Sequence, residues 1–130
     1  MTEAAKGYLL DASAILALLH REPGADTVAA ILGGSAVSAV NWSEVLQRAG
    51  ERGIDVAELD DDFTSLGVRI IDFARPEALQ TARLWLQGHR ALSLADRACL
   101  ATAAVHGLAV ATTDRLWADV EHGIPVTVIR

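Results

Sequence analysis

Short continuous apolar runs alternate with stretches of helical apolar spacing along the whole chain. Gly7 to Leu10 (GYLL) has the length and apolar character of a buried strand, it runs straight into Asp11, and AILALLH behind it has helical spacing. GADTVAAILGG predicts a second short helix closed by Gly33 and Gly34, and SAVS, residues 35 to 38, a second strand. Asn41 to Gly53 follows as a helix with Trp42, Val45, Leu46 and Ala49 on its apolar side. Asp55 to Leu66 is an amphipathic helix whose acid run, Asp60 to Asp62, belongs on a solvated face. Val68 to Ile71 is a third strand. Pro76 opens a helix that Gly88 ends. Leu94 to His106 is the next helix with Gly107 as its C-cap, LAVATT (108 to 113) a fourth strand, Asp114 to Val120 a short helix, and PVTVI (125 to 129) a last strand.

Strands that alternate with helices imply an α/β fold, a mainly parallel sheet of four or five strands covered by helices on both faces. At 130 residues one core is expected, so residues 1–130 form a single domain, with 1–6 as a flexible N-terminal arm. No repeat or linker divides the chain. No segment has the ~18 to 20 apolar residues of a membrane span, and the start lacks the features of a secretory signal, so a cytoplasmic location is expected. Cys99, the only cysteine, excludes an internal disulfide and a multi-thiolate zinc site, and its helix face makes it a small core residue. The formal charge of −6 argues against a broad basic surface for nucleic acid but leaves a local site open.

Four acids stand out by position. Asp11 ends the first strand, Glu44 lies in the first turn of the helix after the second, Asp96 in the first turn of a long helix, and Asp114 directly after the fourth strand. In open parallel sheets the carboxyl ends of the strands form one rim where ligands bind. Each acid also has an ordinary reading: Asn41 with Glu44 and Ser93 with Asp96 have capping-box spacing, and Asp11 and Asp114 suit N-caps worth about 1 kcal/mol each. Asp55 with Glu58 has the same spacing, follows no strand and serves as a control without chemistry. Carboxylates that converge on a rim repel one another and are costly to desolvate unless a cation neutralises them. Hard oxygen ligands without Cys or a matching His suit Mg²⁺ or Mn²⁺, and such sites perform phosphoryl transfer or phosphodiester hydrolysis.

LLDASAILALL, SAVNWSEVL, LSLADRACLATA and LAVATTDRLW, in this order and at these separations, resemble the PIN-domain ribonucleases, and most closely the VapC toxins of bacterial toxin–antitoxin pairs. The match spans nearly the whole chain. The resemblance implies that Asp11, Glu44, Asp96 and Asp114 are the acidic quartet that holds one or two Mg²⁺ or Mn²⁺ ions. It also implies that Ser13 and Thr112 are the small hydroxyl positions that orient the acids or a water, and that Asn41 is the polar position three residues before Glu44. The activity it implies is hydrolysis of tRNA or rRNA by a metal-activated water, inhibiting translation and growth. Its implied partners are a VapB-type antitoxin lying across the active-site groove and a second copy of the chain. AILALL and TVAAIL are apolar enough to supply a partner surface as well as a core face.

Without the four acids the formal charge is −2, so RNA binding becomes a local matter. Arg97 and Arg115 each follow a site acid and can reach a phosphate, or merely pair with a neighbour. Trp42 and Trp85 read as core, while Trp117 is open between core and base stacking. His20, His89, His106 and His122 read as solvent-facing or as partners of helix C-termini. A receiver domain is set aside because the only lysine, Lys6, precedes the first strand. A non-catalytic PIN-like scaffold for RNA or protein, and a metal-dependent DNA nuclease or small phosphatase, remain as alternatives.

Overall fold

The computed structural model describes residues 7–119 and 122–130; the expected N-terminal arm lies outside them. The elements, in chain order, are β1 (Tyr8–Leu10), α1 (Ala12–Leu19), α2 (Ala25–Ile31), β2 (Ala36–Ser38), α3 (Ala39–Glu51), α4 (Val56–Ser65), β3 (Arg69–Ile71), α5 (Arg75–Leu86), α6 (Leu94–His106), β4 (Ala109–Thr112), α7 (Leu116–Asp119) and β5 (Val126–Val128). The five strands form one sheet in the order β3-β2-β1-β4-β5, every neighbouring pair parallel. No helix among the described residues is long and apolar enough to cross a membrane.

Side chains alternate across a strand, and that alternation builds two cores from adjacent residues. Leu10, Val37 and Ala111 face a cluster with Ile15, Val28, Trp42, Val45 and Phe63, from α1 to α4. Their neighbours Leu9, Ala36 and Val110 face a second cluster with Leu84, Leu100 and Trp117, from α5 to α7. Cys99 is fully buried in this second cluster, and burial, aided by the charges of Asp11 and Asp96, pushes its thiol well above its usual range. It is a core residue and not a nucleophile.

The order of the strands matters for function. From β1 the chain builds outward to β2 and β3 on one side and then to β4 and β5 on the other, so the β1/β4 seam is the point where the winding reverses. In such sheets the crevice outside the strands' carboxyl ends at that seam is the ligand site. α1 starts directly from the end of β1 and α3 from the end of β2, while α6 runs back to deliver the chain to the start of β4. All three helix N-termini, with their unpaired N–H groups and positive dipole ends, therefore stand at the same rim.

Local chemistry sets the helix boundaries. Asp55 accepts from the Glu58 N–H at 3.1 Å and caps α4, as its spacing predicts. Asp55→Ala is expected to cost about 1 kcal/mol in urea unfolding and to leave any enzymatic activity unchanged. Gly107 closes α6 in the left-handed region, φ 67°, which a side chain would resist. α3 begins earlier than the Asn41 start read from the sequence: Ser38, the last strand residue, accepts from the Val40 N–H at 3.3 Å and is the cap. Glu44 is consequently in the second turn, and Asn41 and Glu44 do not form a capping box. The acid run is not wholly solvated either, because Asp60 accepts from the Trp42 indole N–H at 2.7 Å and ties α4 to α3.

Glu77 is a buried acid with a structural task. Its carboxylate accepts from the Ala74 N–H at 3.0 Å at the start of α5 and lies 3.0 Å from His106 Nε2 at the end of α6. Burial alone raises its pKa, but the hydrogen bonds from the Ala74 and Glu77 N–H groups and from His106 outweigh it and hold the carboxyl below its ordinary 4.5. A lowered folded pKa means that Glu77 contributes stability above pH 4.5 and loses it as the pH falls from there through the folded value. Chemical denaturation at several pH values should show a weaker acid limb in Glu77→Gln than in wild type. An unchanged limb removes Glu77 from the account. His106 is thus held at the Glu77 carboxylate, and His122, which meets the Trp117 carbonyl at 2.8 Å and accepts from the Ile124 N–H at 3.1 Å, is fastened to the main chain.

Candidate active site

The centre of the rim is Asp11, 4% exposed and at the N-cap of α1. Pairing of Leu10 with Ala111 sets it beside Thr112 at the end of β4. The Thr112 hydroxyl donates to Asp11 Oδ2 at 2.6 Å, the Ser13 hydroxyl lies 2.8 and 2.9 Å from the two carboxylate oxygens, and the Ala14 N–H donates to Oδ1 at 2.9 Å. Both hydroxyls in turn accept from the main chain after β4: Ser13 from the Thr113 N–H at 3.1 Å, Thr112 from the Asp114 N–H at 3.0 Å. Each hydroxyl has one proton, and here both protons go to the acid. The turn that carries Asp114 is thereby hung on the residues that hold Asp11.

Electrostatics sets Asp11 apart. Burial raises its carboxyl from 3.8 to about 6, against the lowering effect of the bonds from Thr112, Ala14 and Ser13, and the charge of Asp96 raises it further. No Lys, Arg or His among the described residues forms an ion pair with it. Asp96, half-buried, forms the capping box predicted for α6: Asp96 accepts from the Ser93 N–H, and the Ser93 hydroxyl from the Asp96 N–H, both at 3.1 Å. Asp114 is exposed and accepts from the Leu116 N–H at 3.0 Å, so it too starts a helix. Glu44, one turn beyond Asn41 on α3, is 40% exposed at its side chain and lies 3.9 Å from Arg48.

Asn41 joins the site through α6. Its Nδ2 donates to the Ala95 carbonyl, next to Asp96, at 3.2 Å, while its buried Oδ1 has no partner. A buried acceptor left unpaired is costly, so a polar group or an ion is wanted there. Among the described residues no three His, Cys, Asp or Glu side chains are close enough together to hold a metal ion by themselves. The donor set nevertheless fits a small divalent cation: Mg²⁺ is usually held through one or two carboxylates, waters and a substrate phosphate, all oxygen donors. Asp11 and Asp96 would supply the carboxylates, and the hydroxyls of Ser13 and Thr112 fix the first of them.

The arginines and tryptophans are placed less simply. Arg97 is turned toward α5, its Nη1 3.3 Å from the Thr81 carbonyl and its Nε 3.4 Å from the Leu92 carbonyl. Arg115 is exposed beside Asp114, with Nη2 3.4 Å from the Arg130 carbonyl. Trp117 is 1% exposed inside the second core and cannot stack on a base, because the one-turn helix α7 packs its indole against the sheet. Trp85, read from the sequence as core, is 39% exposed: Thr81 and Leu84 fill the inward face of α5, and the next residue falls at its edge. Nothing in the sequence marks Trp85 for exposure.

A parallel α/β sheet with a buried, hydroxyl-clamped acid at its switch point and further acids at helix starts defines a small domain with a rim site. The model of the PIN domain family matches residues 8–123, and the chain belongs to that family. No curated protein matches the chain by sequence. Among solved structures it is similar to a toxin-antitoxin complex from Klebsiella pneumoniae, with a TM-score of 0.76 and 23% identity over 95% of this chain and 98% of that one. FitAcB from Neisseria gonorrhoeae gives 0.71 and 25% over 92% and 95%. A sarcin-ricin loop cleaving VapC toxin of Mycobacterium tuberculosis gives 0.66 and 18% over 91% and 96%.

Proposed function

We propose that the protein is a metal-dependent endoribonuclease, the toxin of a VapBC-type toxin–antitoxin pair, which hydrolyses tRNA or rRNA in the cytoplasm and so inhibits translation. The observation that carries this reading is Asp11: a carboxylate desolvated at the switch point, held by two hydroxyls and matched by no cation among the described residues. The similarity to a toxin that cleaves the sarcin-ricin loop supports an RNA substrate, and the similarity to toxin–antitoxin complexes supports a VapB-type antitoxin. The chain works as a homodimer in this reading.

When bound, Mg²⁺ or Mn²⁺ supplies polarisation of the scissile phosphate and acidifies a water. The chain's own residues prepare the ground. Thr112 and Ser13 hold the Asp11 carboxylate in one orientation before substrate arrives, which spares reorganisation during the reaction. Asp96 and Asp114, each fastened by helix-start hydrogen bonds, add further acceptors at the rim, with Glu44 as the fourth acid and Asn41 Oδ1 as a buried acceptor. Arg115 offers an exposed cation beside Asp114 for a phosphate.

The test is cleavage of labelled tRNA and ribosomal RNA fragments by antitoxin-free protein with Mg²⁺, with Mn²⁺ and with EDTA. Metal-dependent cutting lost in Asp96→Ala supports the reading. A second reading is a non-catalytic binding scaffold, since among the described residues no three acids gather closely enough to hold a metal ion by themselves. Binding of RNA without cutting under every metal condition would establish that scaffold instead, and cutting of DNA alone would assign another substrate.

A further inference from the structure

Outside the acidic rim, an apolar groove of about 500 Å³ runs between α5 and the first turn of α6, lined by Phe73, Thr81, Trp85, Leu94 and Arg97 among others. Leu94 and Arg97 share that turn with Asp96, so the groove begins within a helical turn of the proposed cleavage centre. Two guanidiniums meet at Trp85: Arg90 lies 4.5 Å and Arg97 4.8 Å from its ring centroid. Neither has a carboxylate partner among the described residues; their hydrogen bonds go to the carbonyls of Trp85, Leu92 and Thr81. In a chain of net charge −6 these are two uncompensated cations beside the one exposed tryptophan.

We propose that this groove binds a single-stranded RNA segment next to the cleavage centre, one base stacking on Trp85 and a neighbouring phosphate taken by Arg90. The inference rests on the ribonuclease reading and adds a substrate subsite to it. Arg97, half-buried and anchored at two carbonyls, is the fixed cation of the pair, and exposed Arg90 exchanges its place over the ring for a base. A second copy of the chain is the poorer occupant. A two-fold interface centred here sets the same two arginines of each copy toward one another, like charge against like, whereas a nucleotide brings a base for the Trp85 face and the anion that the groove lacks.

The three tryptophans make the test direct. Trp42 and Trp117 are buried at 4% and 1% exposure, so quenching of the emission by a bound base reports Trp85. The metal-free protein in EDTA is titrated with a fluorescently labelled single-stranded RNA of mixed sequence, with anisotropy, tryptophan emission and light scattering measured together. Expected is saturable quenching in wild type, about tenfold or greater loss of affinity in Trp85→Leu, near-wild-type affinity in Trp85→Phe, and a shallower salt dependence in Arg90→Gln. Binding without quenching overturns the proposal, as does Trp85→Leu that binds RNA normally, whether or not it changes oligomeric state; a change there would assign the groove to a second copy. Wild type that cuts RNA with metal yet shows no quenching sinks this inference alone. Wild type that neither cuts nor binds sinks it together with the ribonuclease reading.

Discussion

Asp11→Asn is expected to lower metal-dependent RNA cleavage by about a thousandfold, the rate equivalent of about 4 kcal/mol, while making the metal-free protein more stable at pH 7.5. The two effects share one cause. The wild-type carboxyl, at about 6 in the folded protein against 3.8 ordinarily, must ionise in a buried place at neutral pH. The folded state binds the proton more tightly, so the stability it confers is present below pH 3.8 and is lost as the pH rises through about 6. The loss amounts to up to about 3 kcal/mol. Asparagine removes that cost, keeps an oxygen to accept from the Ala14 N–H and can still cap α1. Part of the gain is offset where the new amide meets Thr112, whose hydroxyl proton then loses its acceptor. Thermal denaturation in EDTA from pH 4.5 to 8 should show wild type losing stability through pH 6 and the variant nearly flat. Added Mg²⁺ or Mn²⁺ should raise the melting temperature of wild type only. A variant less stable than wild type at pH 7.5, or one still stabilised by the ions, would refute this account of Asp11.

Trp117→Ala should cost about 3 to 5 kcal/mol, a large share of the usual margin of a domain this size. Trp117 is among the largest fully buried side chains and is the main anchor of α7, a helix of 4 residues with little capacity to hold itself. Because its indole N–H is buried without a partner, Trp117→Phe should be far milder: the ring loses volume but the unpaired donor goes with it. Urea denaturation followed by circular dichroism checks both. A near-neutral Trp117→Ala would mean that the indole is not packed, and would return it to the candidates for base stacking. The alanine variant should also weaken cleavage, since α7 begins two residues beyond Asp114 and its packing steadies that turn.

The comparison of these two residues shows where sequence reasoning reached and where it stopped. Asp11, Glu44 and Asp114 could be singled out from local order alone, because a strand followed by an acid and a helix start is a local pattern that parallel winding sends to one rim, and Asp96 from the capping spacing at the start of its helix. The alternation of strands with helices likewise announced a sheet covered on both faces, and the split of Leu9 from Leu10 and of Ala36 from Val37 between two cores bears it out. The cap of α3 was misplaced by three residues because Ser38 and Asn41 are both good capping residues, and only the path of the chain out of β2 chooses Ser38.

What the sequence determined by itself is the set of elements, their parallel arrangement and the acids at the strand ends, since periodicity, caps and turns are written in neighbouring residues. Only the tertiary structure decided which groups surround those acids. The raised carboxyl of Asp11 depends on burial and on the charge of Asp96, and the clamp that opposes the rise comes from Thr112, 101 residues away. The exposure of Trp85 and burial of Trp117 depend on how α5 and α7 lie on the sheet. These are properties of long-range packing, where the environment of a side chain is made by residues distant in the chain, and no local pattern carries them.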